Sequence, residues 1–253
     1  ALLEKKLNAY WDLNKGLGTF DYDRSGNRNH VRLINMETSN WISEGVIGSA
    51  IQFDGIDDYL KVEDDPMLNF SIGGFTINFW YKKNQSESAM TLISKADYEN
   101  NEFGARYELF VGEDSSMNFL VSDGEKSSVV TVLDSRFNSN EWIMISATRD
   151  YSENVLKLYL NDELIGSMAD STYDCTNEGD LLIGTNAANT DFFTGQIDEI
   201  RLYNYPLDES ELNALIELTS ISATKNMPRQ FELTSYPNPF NASASIKFTL
   251  TGT

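Results

Sequence analysis

The sequence predicts an all-β fold, a sandwich of two antiparallel sheets with one short helix near the C-terminal end. Three observations predict it. Short segments of alternating apolar residues recur along the chain, Gly, Asn and Asp separate them, and one amphipathic stretch follows the last of them. A parallel α/β sheet would need helical segments between its strands, and this sequence shows a helical pattern only after them.

The strand pattern is clearest in residues 75–81. One face of that segment carries Phe75, Ile77, Phe79 and Tyr81. Residues 155–160 and 163–166 are predicted to be two further strands. Asn161 between them tolerates a positive φ, which predicts a tight hairpin. Further strands are predicted at residues 50–53, 59–62, 90–94, 107–111, 117–121, 127–132, 142–149, 181–183 and 197–203.

The helix is predicted to begin after Asp208. Asp208 and Glu211 have the spacing of a capping box, and the apolar stripe that follows comprises Leu212, Leu215 and Ile216. Residues 1–218 are therefore predicted to be one β domain. Residues 219–230 are small and polar and predict a linker, while residues 231–253 are too few to build a core of their own.

Charge and composition exclude several classes of function. The 253 residues include 39 Asp and Glu against 19 Lys and Arg, so the formal net charge is −20. Such a chain repels phosphate backbones and anionic lipid, which argues against nucleic-acid and membrane-surface binding. No apolar run is long enough to insert into a membrane. Cys175 has no partner for an intrachain disulfide, and His30 is the one histidine.

Residues 21–30 form a polar loop that is a candidate cation site. Side-chain oxygens are closely spaced in it around Gly26, and Ca²⁺ takes roughly six to eight oxygen ligands. A turn closed by local Asx hydrogen bonds explains the same composition without a metal. Asp198 favours the metal, because it interrupts an apolar strand and a buried carboxylate is costly unless paired or well hydrogen-bonded.

An ordered set of motifs resembles the laminin-G-like jelly roll of the concanavalin A-like lectin/glucanase superfamily. The set includes W-D-L at 11–13, D-x-S-G-N-x-N-H at 23–30, F-D-G-x-D-D-Y-L at 53–60, F-T-I-x-F-W at 75–80 and G-x-I-D-E-I-R-L-Y-N at 195–204. The resemblance covers residues 8–218 and implies a concanavalin A-like jelly roll. It also implies a structural calcium ion, whose ligands would be Asp23, Asn27, Asn29, the backbone of Gly55, and Asp198.

The tail resembles a different family. Residues 236–241, Tyr-Pro-Asn-Pro-Phe-Asn, are similar to the opening of the C-terminal sorting domain of type IX secretion substrates, although Ala242 replaces the usual proline. Residues 231–253 would then be the truncated start of that domain. The resemblance implies that the tail engages the export machinery and that the protein is secreted or surface-bound in a bacterium.

The sequence lacks the catalytic patterns of the superfamily's enzymes. Retaining glucanases of this kind carry E-x-D-x-x-E, which places two carboxylates about 5–5.5 Å apart. Neither the segment at 63–65 nor the one at 178–180 continues in that way, and Gln196-Ile197-Asp198 lacks the histidine of the related alginate lyases. We therefore predict a protein that is not an enzyme.

Binding of a polysaccharide or glycoprotein glycan is the function that the sequence favours. The tryptophans fall at scaffold positions, so the predicted ligand-binding residues are others: Tyr98, Phe103, Arg106, Tyr107 and Phe192. Ordinary hairpin packing of the aromatic residues and a surface charge at Arg106 explain the same residues without a ligand. The alternative is a structural or protein–protein module such as an adhesin, a spacer or a filament subunit.

Overall fold

The computed structural model describes residues 7–224, 234–236 and 245–247, with side chains described as far as Thr219. The strands in these ranges are β1 (Leu7–Trp11), β2 (Phe20–Asp21), β3 (Val31–Ile34), β4 (Trp41–Ile42), β5 (Ala50–Asp54), β6 (Tyr59–Val62), β7 (Phe75–Lys83), β8 (Met90–Glu99), β9 (Glu102–Val111), β10 (Met117–Asp123), β11 (Ser127–Val132), β12 (Ile143–Asp150), β13 (Val155–Leu160), β14 (Glu163–Ala169), β15 (Leu181–Ile183), β16 (Thr194–Tyr203), β17 (Thr234–Tyr236) and β18 (Ser245–Lys247). One α-helix, α1, spans Glu209–Thr224, and short 3-10 turns span Thr38–Asn40, Pro66–Leu68 and Ser135–Asn138.

Two antiparallel sheets form the body of the molecule. The first sheet runs in the order β14-β13-β12-β7-β16-β5-β4, with β1 also paired to β16. The second sheet runs in the order β11-β10-β9-β8-β15-β6-β3-β2. Neighbours in these orders are often distant in the chain, as in a jelly roll, so the predicted two-sheet sandwich is confirmed.

The core lies between the two sheets and is built by alternation along the strands. Phe75, Ile77, Phe79 and Tyr81 of β7 are each at most 1% exposed, as the strand pattern predicts. Across the sandwich the ring of Phe75 lies 5.4 Å from that of Tyr107 on β9. This contact joins the first sheet to the second, and burial of such aromatic rings supplies much of the energy of folding.

The predicted strands are present with small changes of length, and four short strands near the N-terminal end were missed. The predictions at 59–62, 127–132, 155–160 and 181–183 match the observed limits, and β8 and β9 extend further than predicted. Strands β2 and β4 have two residues each, too few for an alternation to be recognised. The β13–β14 hairpin is confirmed, with Asn161 at φ 58°.

Helix α1 begins with the predicted capping box and covers the outer face of the first sheet. The Asp208 carboxylate accepts a hydrogen bond from the Glu211 backbone N–H at 2.9 Å, and the Glu211 carboxylate accepts one from the Asp208 N–H at 3.1 Å. Leu212 and Leu215 pack in one apolar cluster with Tyr203 of β16. No helix in the described ranges is long and apolar enough to cross a bilayer.

The helix extends to Thr224, so it includes the first residues of the stretch predicted to be a linker, 219–230. Strands β17 and β18 pair antiparallel with each other in the tail. Residues 237–244, which hold most of the predicted sorting motif, lie outside the described residues.

Candidate functional site

The hairpin of β8 and β9 brings together three of the five predicted ligand-binding residues. The rings of Tyr98 and Phe103 face each other across the hairpin with centroids 4.8 Å apart. The guanidinium carbon of Arg106 lies 4.5 Å from the centroid of the Phe103 ring, within the range of a cation–π contact. All three side chains are half-buried, so the hairpin presents aromatic surface beside one cation.

A small depression lies beside this cluster, on the face of the second sheet that points away from the core. Its volume is about 170 Å³, and it is referred to below as the Arg106 depression. Strand β9 supplies its floor, because alternate residues of a strand share a face. The lining includes Phe103, Arg106, Glu108, Phe110, Asn186 and Asp191.

The loop between β15 and β16 supplies one wall of the depression. The backbone carbonyl of Asp191 accepts a hydrogen bond from the Thr91 N–H of β8 at 2.7 Å, which holds the loop against the sheet. The Asn186 amide donates to the Asp191 carboxylate at 3.1 Å. The loop thus fixes a carboxylate above a floor that β9 provides.

The Arg106 side chain makes no hydrogen bond with any residue of the described chain, although only 19% of it is exposed. Its Nε is buried without a partner, and the Glu108 carboxylate lies 3.7 Å away, too far for a hydrogen bond. Buried polar groups are hydrogen-bonded in the great majority of cases. An arginine in this state has a planar set of N–H donors available to a ligand.

Glu108 is the buried acid of the depression. Its side chain is 9% exposed, and one carboxylate oxygen accepts a hydrogen bond from the Thr91 hydroxyl at 3.3 Å. Burial raises the pKa of Glu108, the charge of Arg106 acts in the opposite direction, and the charge of Asp191 adds to the rise. Burial also lowers the pKa of Arg106. The depression therefore holds one cation and two acids, of which Arg106 and Glu108 are largely buried and Asp191 is exposed.

Tyr107 and Phe192 lie apart from the depression. Tyr107 is 0% exposed, its ring packs against Phe70 and Phe75, and its hydroxyl donates to the Leu68 carbonyl at 3.0 Å. This corrects the prediction that Tyr107 contacts a ligand, since neighbouring residues of a strand face opposite sides and Arg106 takes the outer one.

Phe192 is half-buried with its ring 6.5 Å from that of Tyr59.

The predicted calcium residues of the first loop form a closed hydrogen-bonded turn. Asp23 is 7% exposed, and its Oδ1 accepts bonds from the backbone N–H groups of Tyr10 and Ser25 at 3.0 and 2.8 Å. Its Oδ2 accepts bonds from the Ser25 hydroxyl at 2.8 Å and the Asn29 N–H at 3.0 Å. A carboxylate has about four acceptor positions, so a calcium ion bound by Asp23 would have to replace one of these hydrogen bonds.

The two asparagines of the same loop act as donors. The side-chain amides of Asn27 and Asn29 each donate to the Asn8 carbonyl at 3.1 Å. Their amide oxygens accept no hydrogen bond within the described part of the chain. These contacts tie the loop to β1.

Asp198 and Gly55 occupy other places in the fold. Asp198 is 0% exposed, and its carboxylate accepts three backbone hydrogen bonds, from Val46 at 2.8 Å, Ile47 at 3.2 Å and Glu199 at 2.8 Å. Burial raises the pKa of Asp198 well above its ordinary range. Gly55 takes φ 79° in the turn after β5, beside Thr194. None of the hydrogen bonds among described residues joins either one to the Asp23 loop.

The turn around Gly55, part of the F-D-G-x-D-D-Y-L motif, carries a group of three acids. Asp54, Asp57 and Asp58 bring carboxylate oxygens within 4.8 Å of one another. The Asp54 carboxylate accepts the backbone N–H of Ile56 at 2.8 Å, and that of Asp58 accepts the Asn40 side-chain amide at 2.8 Å. These bonds close the turn and explain the acids as turn residues.

Among the residues of the depression that sequence reasoning missed are Glu108, Asn186 and Asp191. Glu108 had a usable signal, because it stands two positions after Arg106 on a strand and must share its face. The two loop residues had none, because the contact between this loop and β8 depends on how distant segments pair.

Comparison with known families and structures supports the same fold. Residues 54–213 match the family described as the concanavalin A-like lectin/glucanases superfamily. No curated protein matches the chain.

Several solved structures share the architecture at low sequence identity. The binding domain of Paraclostridial Mosquitocidal Protein 1 is 19% identical, with a TM-score of 0.67 over 84% of this chain and 52% of that one. The botulinum neurotoxin serotype D binding domain is 16% identical, with a TM-score of 0.67 over 85% and 51%. A serotype D domain in complex with N-acetylneuraminic acid is 18% identical, with a TM-score of 0.65 over 85% and 52%. The chain spans about half the length of these structures, and the likeness concerns the fold alone.

Proposed function

The chain belongs to the concanavalin A-like lectin/glucanases superfamily, and from that premise we propose that it is a carbohydrate-binding module whose ligand occupies the Arg106 depression. The observation that carries the proposal is the state of the Arg106 side chain, which is largely buried, stacked on Phe103 and without a hydrogen bond in the described chain. Sugars offer hydroxyl groups to such a donor and apolar ring faces to an aromatic neighbour.

A glycan array, followed by titration calorimetry, tests this proposal. We expect binding above background and at least a tenfold loss of affinity in Arg106→Ala, because the variant removes the donors and the cation–π partner of Phe103. Arg32→Ala is the matched control, since Arg32 is exposed and lies on β3. An array without binding, with and without calcium, would overturn the proposal and leave the structural or protein–protein alternative.

We also propose that the module binds its glycan without cleaving it. The absence of the superfamily's catalytic carboxylate pattern from the sequence supports this proposal. Incubation of the protein with the polysaccharides that it binds should release no reducing ends or unsaturated products. Product that accumulates with time and enzyme-like turnover would contradict it.

A structural calcium ion stays a prediction of the motif resemblance. Three of the roughly four acceptor positions of Asp198 are occupied, which leaves one for a cation. If the ion binds, EDTA lowers the melting temperature, added calcium restores it, and Asp198→Asn abolishes the response. Equal melting temperatures of the wild-type protein in calcium and in EDTA would contradict the prediction.

Export through a type IX secretion machinery, to a secreted or cell-surface location, is likewise a proposal. The tail motif at residues 236–241 supports it. In a bacterium that has this machinery, replacing Asn238-Pro239-Phe240 by three alanines in the full-length protein should reduce the fraction found outside the cell. An unchanged distribution would count against the tail as an export signal.

A further inference from the structure

We infer that the Arg106 depression recognises an uncharged sugar through two adjacent hydroxyl groups and rejects sugars that carry a carboxylate or a sulfate. This inference rests on the proposed function and narrows it to a ligand class. It follows from the balance of charge in the depression, from the hydrogen-bonding groups left over there, and from its size.

The balance of charge is unfavourable to an anion. One guanidinium, that of Arg106, faces two carboxyl groups, those of Glu108 and Asp191, and the charges of both Arg106 and Asp191 act on Glu108. The protein as a whole carries a formal charge of −20. An incoming carboxylate or sulfate would gain one attractive contact, with Arg106, and meet two acids, and repulsion by the buried Glu108 is the costlier because water screens it least.

The free hydrogen-bonding groups match hydroxyls instead. The Arg106 guanidinium offers N–H donors, and Glu108 Oε2 accepts no hydrogen bond from the described chain. A hydroxyl group can accept a hydrogen bond from Arg106 and donate one to Glu108 at the same time, which a carboxylate cannot do. The planar guanidinium presents parallel donors, so two hydroxyls on neighbouring ring carbons can use it together.

The size of the depression indicates one sugar ring. Its volume of about 170 Å³ is below the range of roughly 300–1,000 Å³ that is usual for pockets enclosing drug-sized ligands. Phe103 and Phe110 supply apolar surface for the ring, while the carboxylate of Asp191 stands on the loop side. The inference is therefore that a single neutral residue of the glycan is held here.

Titration calorimetry with matched oligosaccharides tests the inference. The pair differs in one terminal residue, a neutral hexose or the corresponding uronic acid, and measurements are made at pH 7 and fixed ionic strength. We expect the neutral ligand to bind at least tenfold more tightly. Arg106→Lys keeps the charge but loses the planar donors, and it should weaken neutral binding at least tenfold, while the matched control Arg32→Lys should not.

Variants of the acids separate recognition from mere packing. Glu108→Gln and Asp191→Asn each remove one negative charge with little change of shape, so each should raise the affinity for the uronate relative to the neutral sugar. Asp191 is exposed, which provides a variant that folds even if Glu108→Gln does not. Melting temperature and near-ultraviolet circular dichroism check folding.

The outcomes distinguish this inference from the proposed function. Preferential binding of the uronate or of a sulfated sugar, sensitive to Arg106→Lys, would overturn the inference and leave the glycan-binding function standing. Neutral binding that is insensitive to Arg106→Lys would overturn the inference by placing the ligand elsewhere. Absence of binding to every glycan would overturn both.

Discussion

At the scale of single residues, two arginines show what a guanidinium does when its donors are used and when they are not. Arg149 is 0% exposed, and its Nε donates to the Asp170 carboxylate at 2.7 Å. Its other nitrogens donate to the backbone carbonyls of Ser71, Thr172 and Tyr173 at 2.9, 3.0 and 2.7 Å. Arg149 thereby holds the irregular segment after β14 against the sheet. Because the donors of Arg149 are used within the protein, we interpret it as a structural residue, whereas the free side-chain donors of Arg106 indicate a ligand.

Replacing Arg149 should strongly destabilise the protein. Arg149→Gln leaves the Asp170 carboxylate buried with its ion pair lost, and breaking a buried pair in this way costs about 3–5 kcal/mol. Urea unfolding measures the change in free energy. The control is Arg136→Gln, which breaks an exposed pair with Glu163 and should have little effect. A loss in Arg149→Gln no larger than in the control would contradict this role.

Glu108 should make stability depend on pH. Because burial raises its pKa, the folded chain holds this proton more tightly than the unfolded chain does. Its contribution to stability is complete below the unfolded pKa and is lost as pH rises through the raised folded pKa. The wild-type protein should therefore lose unfolding free energy relative to Glu108→Gln across that window, in urea titrations at a series of pH values. A difference that does not vary with pH would show that Glu108 titrates normally.

At the scale of elements, alternation predicted most of the sandwich and also explains the errors. Residues 75–81 and 155–160 form strands as predicted because their periodicity is strict and their turn residues are clear. The same alternation places Arg106 and Tyr107 of β9 on opposite sides of the sheet, so the two cannot contact one ligand. The wall of the depression could not be predicted, because the contact of Asp191 with Thr91 joins segments that only the tertiary fold brings together.

Helix α1 should contribute to stability through its packing on the first sheet. Leu212 is 0% exposed and packs with Tyr203, so Leu212→Ala should lower the unfolding free energy by about 2–5 kcal/mol. Leu17→Ala serves as the control, since Leu17 is 59% exposed. Thermal and urea unfolding measure both variants. Equal effects at the two positions would mean that the helix is not coupled to the sandwich.

At the scale of the whole molecule, the formal charge of −20 acts on the compact state. Repulsion among the acids favours expansion, and salt screens it over a Debye length of about 10 Å at 0.1 M. The melting temperature should therefore rise as the salt concentration is raised from about 20 to about 200 mM, because the Debye length shortens strongly over that range. The rise should be equal in sodium chloride and in choline chloride. A rise that only one of the salts produces would indicate binding of a specific ion instead.

The division of the Arg106 depression between a strand and a loop has a consequence for how its specificity can change. The floor is part of β9, whose neighbouring residues belong to the core, so substitutions there endanger folding. The wall is a short connection between β15 and β16 that carries Asn186 and Asp191. In the proposed carbohydrate-binding module, exchanging that connection alone would therefore change the ligand preference. The strand floor would stay constant while the loop varies, so residues 186–191 are the segment to randomise when the selectivity is redesigned.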